Sequence, residues 1–162
     1  MPKVVVNSTP LIILCNIGQL LLLKKLYGEI IIPEAVYKEV TVKKDTACIA
    51  ISQYNDWIKI EKVPANKKLK IYRARLHTGE VEVMLLAQQP PLADLVIIDD
   101  NAAKNTAKFL GLKVTGTLGI LLKAKKLGLL DNIKPLIEKM HNAGFYISEN
   151  IKNLVLESAN ER

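Results

Sequence analysis

Short runs of β-branched and other apolar residues alternate along this chain with longer segments of helical composition, and this alternation constrains the fold most. The runs lie at residues 4–6 ("VVV"), 30–32 ("III") and 95–98 ("LVII"). No polar residues interrupt them, as they would in a strand with one solvated face. The pattern therefore predicts the central strands of a parallel sheet that is covered by helices on both faces.

Signals of helix starts and stops fill the intervening segments. Ser8 or Thr9 is suited to cap a helix that reaches about residue 22, with Pro10 in its first turn. An edge strand is predicted at 57–63 and a short strand at 112–114. Other helices are predicted near 33–40, 47–54, 78–89, 101–110, 116–130, 133–143 and 148–159. The order predicts a single three-layer α/β/α domain over 1–162, with a core at 1–148 and a C-terminal helix at 149–162.

Charge and cysteine content narrow the classes of partner and compartment. The formal net charge of +7 favours a polyanionic partner, most commonly nucleic acid, although a solvated lysine surface is the alternative. Cys15 and Cys48 form no motif and suit free thiols in a reducing cytoplasm. Since no secretory signal or bilayer-length apolar segment is visible, we expect a cytoplasmic protein without a membrane partner.

Polar side chains cluster where the predicted strands end. Asn7 follows the first strand, Asp99 and Asp100 follow another, Glu39 lies on the helix after the second strand, and Glu80 lies in the first turn of a helix. Ligands of parallel α/β sheets bind beyond the carboxyl ends of the strands. Converging carboxylates repel one another unless a cation such as Mg²⁺ or Mn²⁺ joins them. Such an ion can activate water and neutralise charge on a phosphoryl group.

Each of these acids also has a purely structural interpretation. Glu80 would be favourable against the helix dipole, Asp99 or Asp100 would cap the next helix, and Glu39 would be a surface acid. Glu82 lies roughly 200° around the helix from Glu80, so we interpret Glu82 as a solvated charge. Spacing alone therefore predicts an acidic site but names no substrate.

Several ordered segments carry a family resemblance. They are "VVVNSTPLI", "IIIPEAVYKEV", "TGEVEVMLLA", "ADLVIIDDNAAKNTAKFLGLKVTGTLGILLKAKKLGLL" and "NAGFYIS", which together span residues 4–148. In this order they resemble the PIN-domain-like family of small prokaryotic proteins, which is related to the toxin ribonucleases of type II toxin–antitoxin pairs. The resemblance implies a PIN-like α/β/α fold with additional C-terminal helices.

The resemblance also implies a metal-dependent endoribonuclease, in which acids hold Mg²⁺ or Mn²⁺ at the carboxyl edge of the sheet. The metal-binding positions fall on Asn7, Glu39, Glu80, Asp99 and Asp100, and the four acids among them would be catalytic. Asn7 departs from the family pattern, which usually has Asp there. Its neutral amide oxygen would bind a hard cation more weakly and cannot accept a proton.

Five further residues are expected to contact an RNA substrate. Ser8 or Thr9 matches the hydroxyl residue that PIN domains keep beside the first acid. Lys104 is the candidate cation for the leaving oxygen, with a solvated helix lysine as the alternative. Thr115 and Thr117 lie near a strand end and are candidates for phosphate contact. The basic residues at 67–75 and 123–126 are expected to follow the RNA backbone or to form a solvated face.

Three functions stay open at this stage. The first is a PIN-type endoribonuclease with a weakened metal site, as the toxin of a toxin–antitoxin pair, with RNA, an antitoxin and a second copy of the chain as partners. The second is a degenerate PIN-like module that binds nucleic acid or protein without cleavage. The third, a small-molecule phosphohydrolase, is disfavoured because the sequence has no glycine-rich phosphate loop.

Overall fold

A parallel five-stranded sheet forms the centre of the protein. The structure is a computed structural model that describes residues 2–42, 46–63 and 78–161. The strand order is β3-β2-β1-β4-β5, and all neighbouring pairs are parallel. The strands are β1 (Val4–Val6), β2 (Ile30–Pro33), β3 (Ile58–Glu61), β4 (Leu95–Ile97) and β5 (Val114–Thr115).

Helices flank this sheet and complete a three-layer α/β fold. Those in the described residues are α1 (Ser8–Asn16), α2 (Leu21–Tyr27), α3 (Glu34–Val42), α4 (Thr46–Gln53), α5 (Thr78–Gln88), α6 (Asn101–Phe109), α7 (Thr117–Lys126), α8 (Lys134–Asn142) and α9 (Glu149–Ser158). This confirms the predicted fold class. The edge position predicted for the strand near 57–63 is also confirmed, since β3 ends the sheet.

The burial of β1 shows why the sheet must be covered on both faces. Val4, Val5 and Val6 point alternately to opposite faces, and each is at most 1% exposed. Val5 pairs with Ile31 of β2 on one side and with Val96 of β4 on the other. The chain builds the sheet outward from β1 in both directions, so the topological switch point lies between the carboxyl ends of β1 and β4. Ligands of open parallel sheets bind at such a point.

The first predicted helix is wrong in its extent and in its cap. The chain forms α1 and α2 there, two helices whose axes differ by 116°. Gly18 lies between them with a φ of +73°, a left-handed conformation that glycine adopts without strain and that ends a helix. Asn7, and not Ser8 or Thr9, occupies the N-cap of α1, and its side chain makes no capping hydrogen bond.

No single helix within residues 2–42, 46–63 and 78–161 is long and apolar enough to cross a bilayer. Helices α1 and α2 reach the required length and composition only when taken together across their bend.

Glu161 fixes the end of the chain against α7 and α8. Its carboxylate accepts the backbone N–H groups of Ile133, at 2.8 Å, and of Lys134, at 3.0 Å, and it pairs with Lys125 Nζ at 2.9 Å. The side chain is only 7% exposed. Burial alone would raise the pKa of Glu161. The two backbone hydrogen bonds and Lys125 lower the pKa by more than burial raises it, so it lies below the usual value. Glu161 therefore acts as a charged cap on the start of α8.

We expect Glu161→Gln to lower the free energy of unfolding at pH 7 by about 1–2 kcal/mol, the range for loss of a helix cap. Because the folded-state pKa is lowered, the contribution is complete above the unfolded-state value of 4.5 and is lost as the pH falls through the folded-state pKa. Urea unfolding of both proteins from pH 7 to pH 3 measures it. A Glu138→Gln control, at an exposed position of α8, should differ little from wild type. An equal difference between wild type and Glu161→Gln at every pH would contradict this assignment.

Candidate functional site

Asn7 lies at the switch point, and its side chain carries a buried oxygen whose hydrogen bonding is incomplete. Its backbone N–H donates to the carbonyl of Ile97 at 2.9 Å, which ties the end of β1 to β4. The residue is only 5% exposed, and its Oδ1 has no hydrogen-bond partner among the described residues. A buried carbonyl oxygen without a partner costs about 1–3 kcal/mol. A hard divalent cation readily takes such an oxygen as a ligand.

Glu39 brings a carboxylate oxygen to the same place. A methyl group built on Gly79 would lie 3.1 Å from Glu39 Oε2 and 3.7 Å from Asn7 Oδ1. Both oxygens therefore lie close to Gly79, although Glu39 as a whole is exposed on α3. We call them the Asn7–Glu39 pair. Gly79, the second residue of α5, permits this approach, and sequence reasoning missed its role.

Glu80 follows Gly79 in the first turn of α5, as predicted. It is 7% exposed, one of the few polar or charged residues that are buried in the described part of the chain. Burial of a carboxylate is costly unless compensating charges or donors surround it. A favourable position at the start of a helix supplies part of this compensation.

Asp99 is held by the first residue of α7. Its Oδ1 accepts the backbone N–H of Thr117 at 2.8 Å, and its Oδ2 accepts the Thr117 hydroxyl at 2.7 Å. A methyl group built on Gly116 would lie 2.5 Å from Asp99 Oδ1 and 2.9 Å from Lys104 Nζ. Gly116 thus leaves room for the carboxylate and the ammonium group together. We call Asp99, Thr117 and Lys104 the Asp99 group.

The other predicted residues lie as follows. Asp100 caps α6, because its Oδ2 accepts the N–H of Ala103 at 2.9 Å. The capping alternative therefore applies to Asp100 and not to Asp99. Ser8 is buried and Thr9 is exposed at the start of α1. Thr115 directs its hydroxyl against Gly119 in the first turn of α7.

The acids do not gather around one point. Within the described ranges, no set of three or more His, Cys, Asp or Glu side chains lies close enough to hold one metal ion. Asp99 is held at the start of α7, where Thr117 donates hydrogen bonds to both of its oxygens. The Asn7–Glu39 pair nevertheless suits Mg²⁺ or Mn²⁺, because Mg²⁺ commonly takes one or two protein oxygens and keeps several waters. Glu80 adds a carboxylate beside Gly79.

Glu82 corrects an expectation from the sequence. It is half-buried and not a solvated charge, and its Oε1 accepts the N–H of Ala35 at 3.1 Å. Glu82 does point away from the Glu80 side of α5, but that face meets the start of α3. Free amide groups at a helix start favour a carboxylate. The sequence carries no signal for this contact, since it depends on how two helices pack.

Of the two basic segments predicted to follow the RNA backbone, only the one at 123–126 lies within the described residues. Residues 67–75 lie outside the described residues. On α7, Lys125 bonds to Glu161 and to the carbonyl of Ala159, so its charge is already used within the protein. Lys123 Nζ lies 4.8 Å above the ring of Tyr27, and Lys126 is exposed. A cleft of about 890 Å³ between α7 and the end of α9 is lined by these three lysines, by Ser158 and Asn160, and by apolar side chains.

An open parallel α/β sheet with oxygen atoms at its switch point is an arrangement that binds ligands at that edge, and comparison with known families assigns it a nuclease-type fold. The family model described as DUF3368, PIN domain, matches residues 3–161, and the chain therefore belongs to this PIN-domain family. This confirms the resemblance. PIN domains generally use divalent metal ions and bind nucleic acids. Among the curated proteins, no match was found.

We expect Thr117→Val to lower the free energy of unfolding by about 1–3 kcal/mol, because Asp99 loses a hydroxyl donor in a buried place. Thr117 is 1% exposed, and valine has nearly the same shape, so packing should change little. Thr106→Val is the matched control, since that hydroxyl only donates to Ala102 of its own helix. Urea unfolding measures both, and the control should stay within about 0.5 kcal/mol of wild type. Equal stability of Thr117→Val and wild type would show that the Thr117–Asp99 bond carries no stability.

Proposed function

We propose that this protein is a divalent-metal-dependent endoribonuclease whose first metal ligand is weakened. The observation that carries the proposal is the buried Oδ1 of Asn7, which has no partner among the described residues and lies, like Glu39 Oε2, close to Gly79 at the switch point. A nuclease-type family fold supports the same chemistry.

Asn7, Glu39 and Glu80 would hold Mg²⁺ or Mn²⁺, with water completing the coordination. Asn7 contributes a neutral oxygen where aspartate would contribute a charge, so electrostatic attraction for the cation is smaller. When bound, the ion would neutralise phosphoryl charge and make water a better nucleophile. Burial of Asn7 would offset part of this loss, because attraction to its oxygen is stronger in a low dielectric.

The chain's own residues would then orient the reactants. Glu80 is suited to orient the attacking water and to accept its proton. Lys104, beside Asp99 and Gly116, is suited to stabilise the leaving oxygen. Asp99 forms no ion pair with this ammonium group, so it would attract Lys104 at longer range from a carboxylate that Thr117 fixes. Ser8, Thr9 and Thr115 remain candidates for contact with the RNA backbone near the same edge.

Polyanion attraction would position the substrate. Lys123 and Lys126 are exposed in the second half of α7, about 9 Å and about 14 Å from Thr117 along the helix axis by the rise of an α-helix. They extend the positive surface away from the cleavage point, whereas Lys125 does not contribute. A role as the toxin of a toxin–antitoxin pair, with an antitoxin and a second copy of the chain as partners in the cytoplasm, belongs to this proposal through the family relationship.

A second candidate is a module that binds RNA without cleaving it. Two observations favour it: Asn7 replaces an acid, and no three acids within residues 2–42, 46–63 and 78–161 lie close enough to share an ion. Such a module would bind RNA without metal, and its affinity would fall steeply with salt.

Cleavage assays separate the two candidates. We expect the protein to cut structured RNA in Mn²⁺ and to lose this activity with a chelator. Glu80→Gln should lower the rate by about 10²-fold or more, as loss of a catalytic group does. Asp99→Asn should also lower the rate, because Lys104 loses the negative charge near it. Glu138→Gln should cleave like wild type. Metal-independent cleavage, or Glu80→Gln and Asp99→Asn that both equal wild type, would exclude the nuclease as proposed.

Asn7→Asp tests the weakened ligand directly. We expect its affinity for Mn²⁺ to rise about ten-fold, a change of about 1.4 kcal/mol, because a charged oxygen replaces a neutral one beside the cation. Calorimetric titration measures the affinity. Asn16→Asp makes the same change of charge at an exposed position at the other end of α1, and it should leave the affinity unchanged. Equal affinities in Asn7→Asp and Asn16→Asp would show that Asn7 does not contact the ion.

A further inference from the structure

We propose that Glu82 is a positioning residue for the metal site, because it fixes the start of α3 and thereby the carboxylate of Glu39. This inference rests on the proposed function, in which Glu39 is a metal ligand. Glu82 would contact neither the ion nor the RNA. Its effect would pass through the backbone of α3.

The contact that carries the inference joins two helices. Glu82 Oε1, on α5, accepts the backbone N–H of Ala35 at 3.1 Å. Ala35 is the second residue of α3, so its N–H has no partner within its own helix. A carboxylate there satisfies the amide and opposes the positive end of the helix dipole. Glu82 thus performs for α3 the task of an N-cap, from another part of the chain.

Glu39 lies one turn after Ala35 on the same helix. Residues four apart on a helix lie on one face, about 5–6 Å from each other. A shift or rotation of the first turn of α3 would therefore move the Glu39 carboxylate by a similar amount. Metal ligation is sensitive to such shifts, because Mg²⁺ and Mn²⁺ need oxygens at fixed distances.

The same turn of α5 also contacts α3 at Gly79. A methyl group on Gly79 would lie 3.5 Å from Val36 Cγ2 and 3.1 Å from Glu39 Oε2, so the two helices approach closely there. Gly79 and Glu82 are three residues apart and hold the first half of α3 at two places. Between them lies Glu80, the buried acid. This turn of α5 therefore supplies Glu80 as a candidate ligand. Its Gly79 leaves room for Glu39, and its Glu82 holds the helix on which Glu39 lies.

The test compares Glu82→Ala, which removes the acceptor, with Glu82→Gln, which keeps a neutral acceptor oxygen. Glu138→Ala, at an exposed position of α8, is the control. For each full-length protein, calorimetry measures the affinity for Mn²⁺, and NMR measures the exchange rate of the Ala35 amide proton without metal. Glu82→Ala should weaken Mn²⁺ binding about ten-fold and speed exchange at Ala35, as loss of an outer-shell partner does. Glu82→Gln should restore most of both, because an amide oxygen still accepts the bond.

The outcomes separate this inference from the function on which it rests. If wild type and Glu138→Ala bind Mn²⁺, and Glu82→Ala binds it equally well, the positioning role is overturned and the nuclease proposal stands. If Glu82→Gln is as weak as Glu82→Ala while exchange at Ala35 is restored, Glu82 acts through its charge and positioning is again overturned. If wild type binds no Mn²⁺, both the proposed function and the role of Glu82 toward an ion are overturned.

Discussion

Burial of β1 on both faces is the constraint on which the rest of the structure depends. Three consecutive valines can only be covered if helices pack above and below the sheet, and if β2 and β4 pair with β1 on either side. The parallel arrangement then sends every strand end to one edge. Asn7 is the first residue beyond β1, so the sheet itself delivers its side chain to the switch point. The candidate site is therefore a consequence of core packing, to which α3 and α5 add the carboxylates.

Much of this could be predicted from the sequence, for reasons that differ between elements. Uninterrupted apolar runs identify β1, β2 and β4 because no amphipathic alternative suits them. The break between α1 and α2 was missed because apolar residues continue on both sides of Gly18. Whether Asp99 or Asp100 caps α6 could not be decided either, since both residues suit a cap and only the backbone geometry separates them.

Contacts between elements that are far apart in the sequence could not be predicted from it. Helical periodicity correctly places Glu82 and Glu80 on different sides of α5, but it cannot tell that the Glu82 side meets the start of α3. The approach of Glu39 Oε2 and Asn7 Oδ1 to Gly79 depends in the same way on how α3 packs on α5. The candidate site therefore has two separate parts, the Asn7–Glu39 pair and the Asp99 group. The first part suits a cation, and the second places Lys104 near Asp99 at Gly116 without an ion pair between these two described residues.

The central claim is that the buried oxygen of Asn7 serves a divalent cation, and Mg²⁺ titration followed by NMR tests it most directly. The side-chain NH₂ signals of Asn7 report on the carbonyl of the same amide, and those of Asn16 provide an internal reference at the other end of α1. The account predicts that the Asn7 signals shift saturably with Mg²⁺ while the Asn16 signals stay in place. Saturable shifts elsewhere in the protein with unmoved Asn7 signals would contradict it.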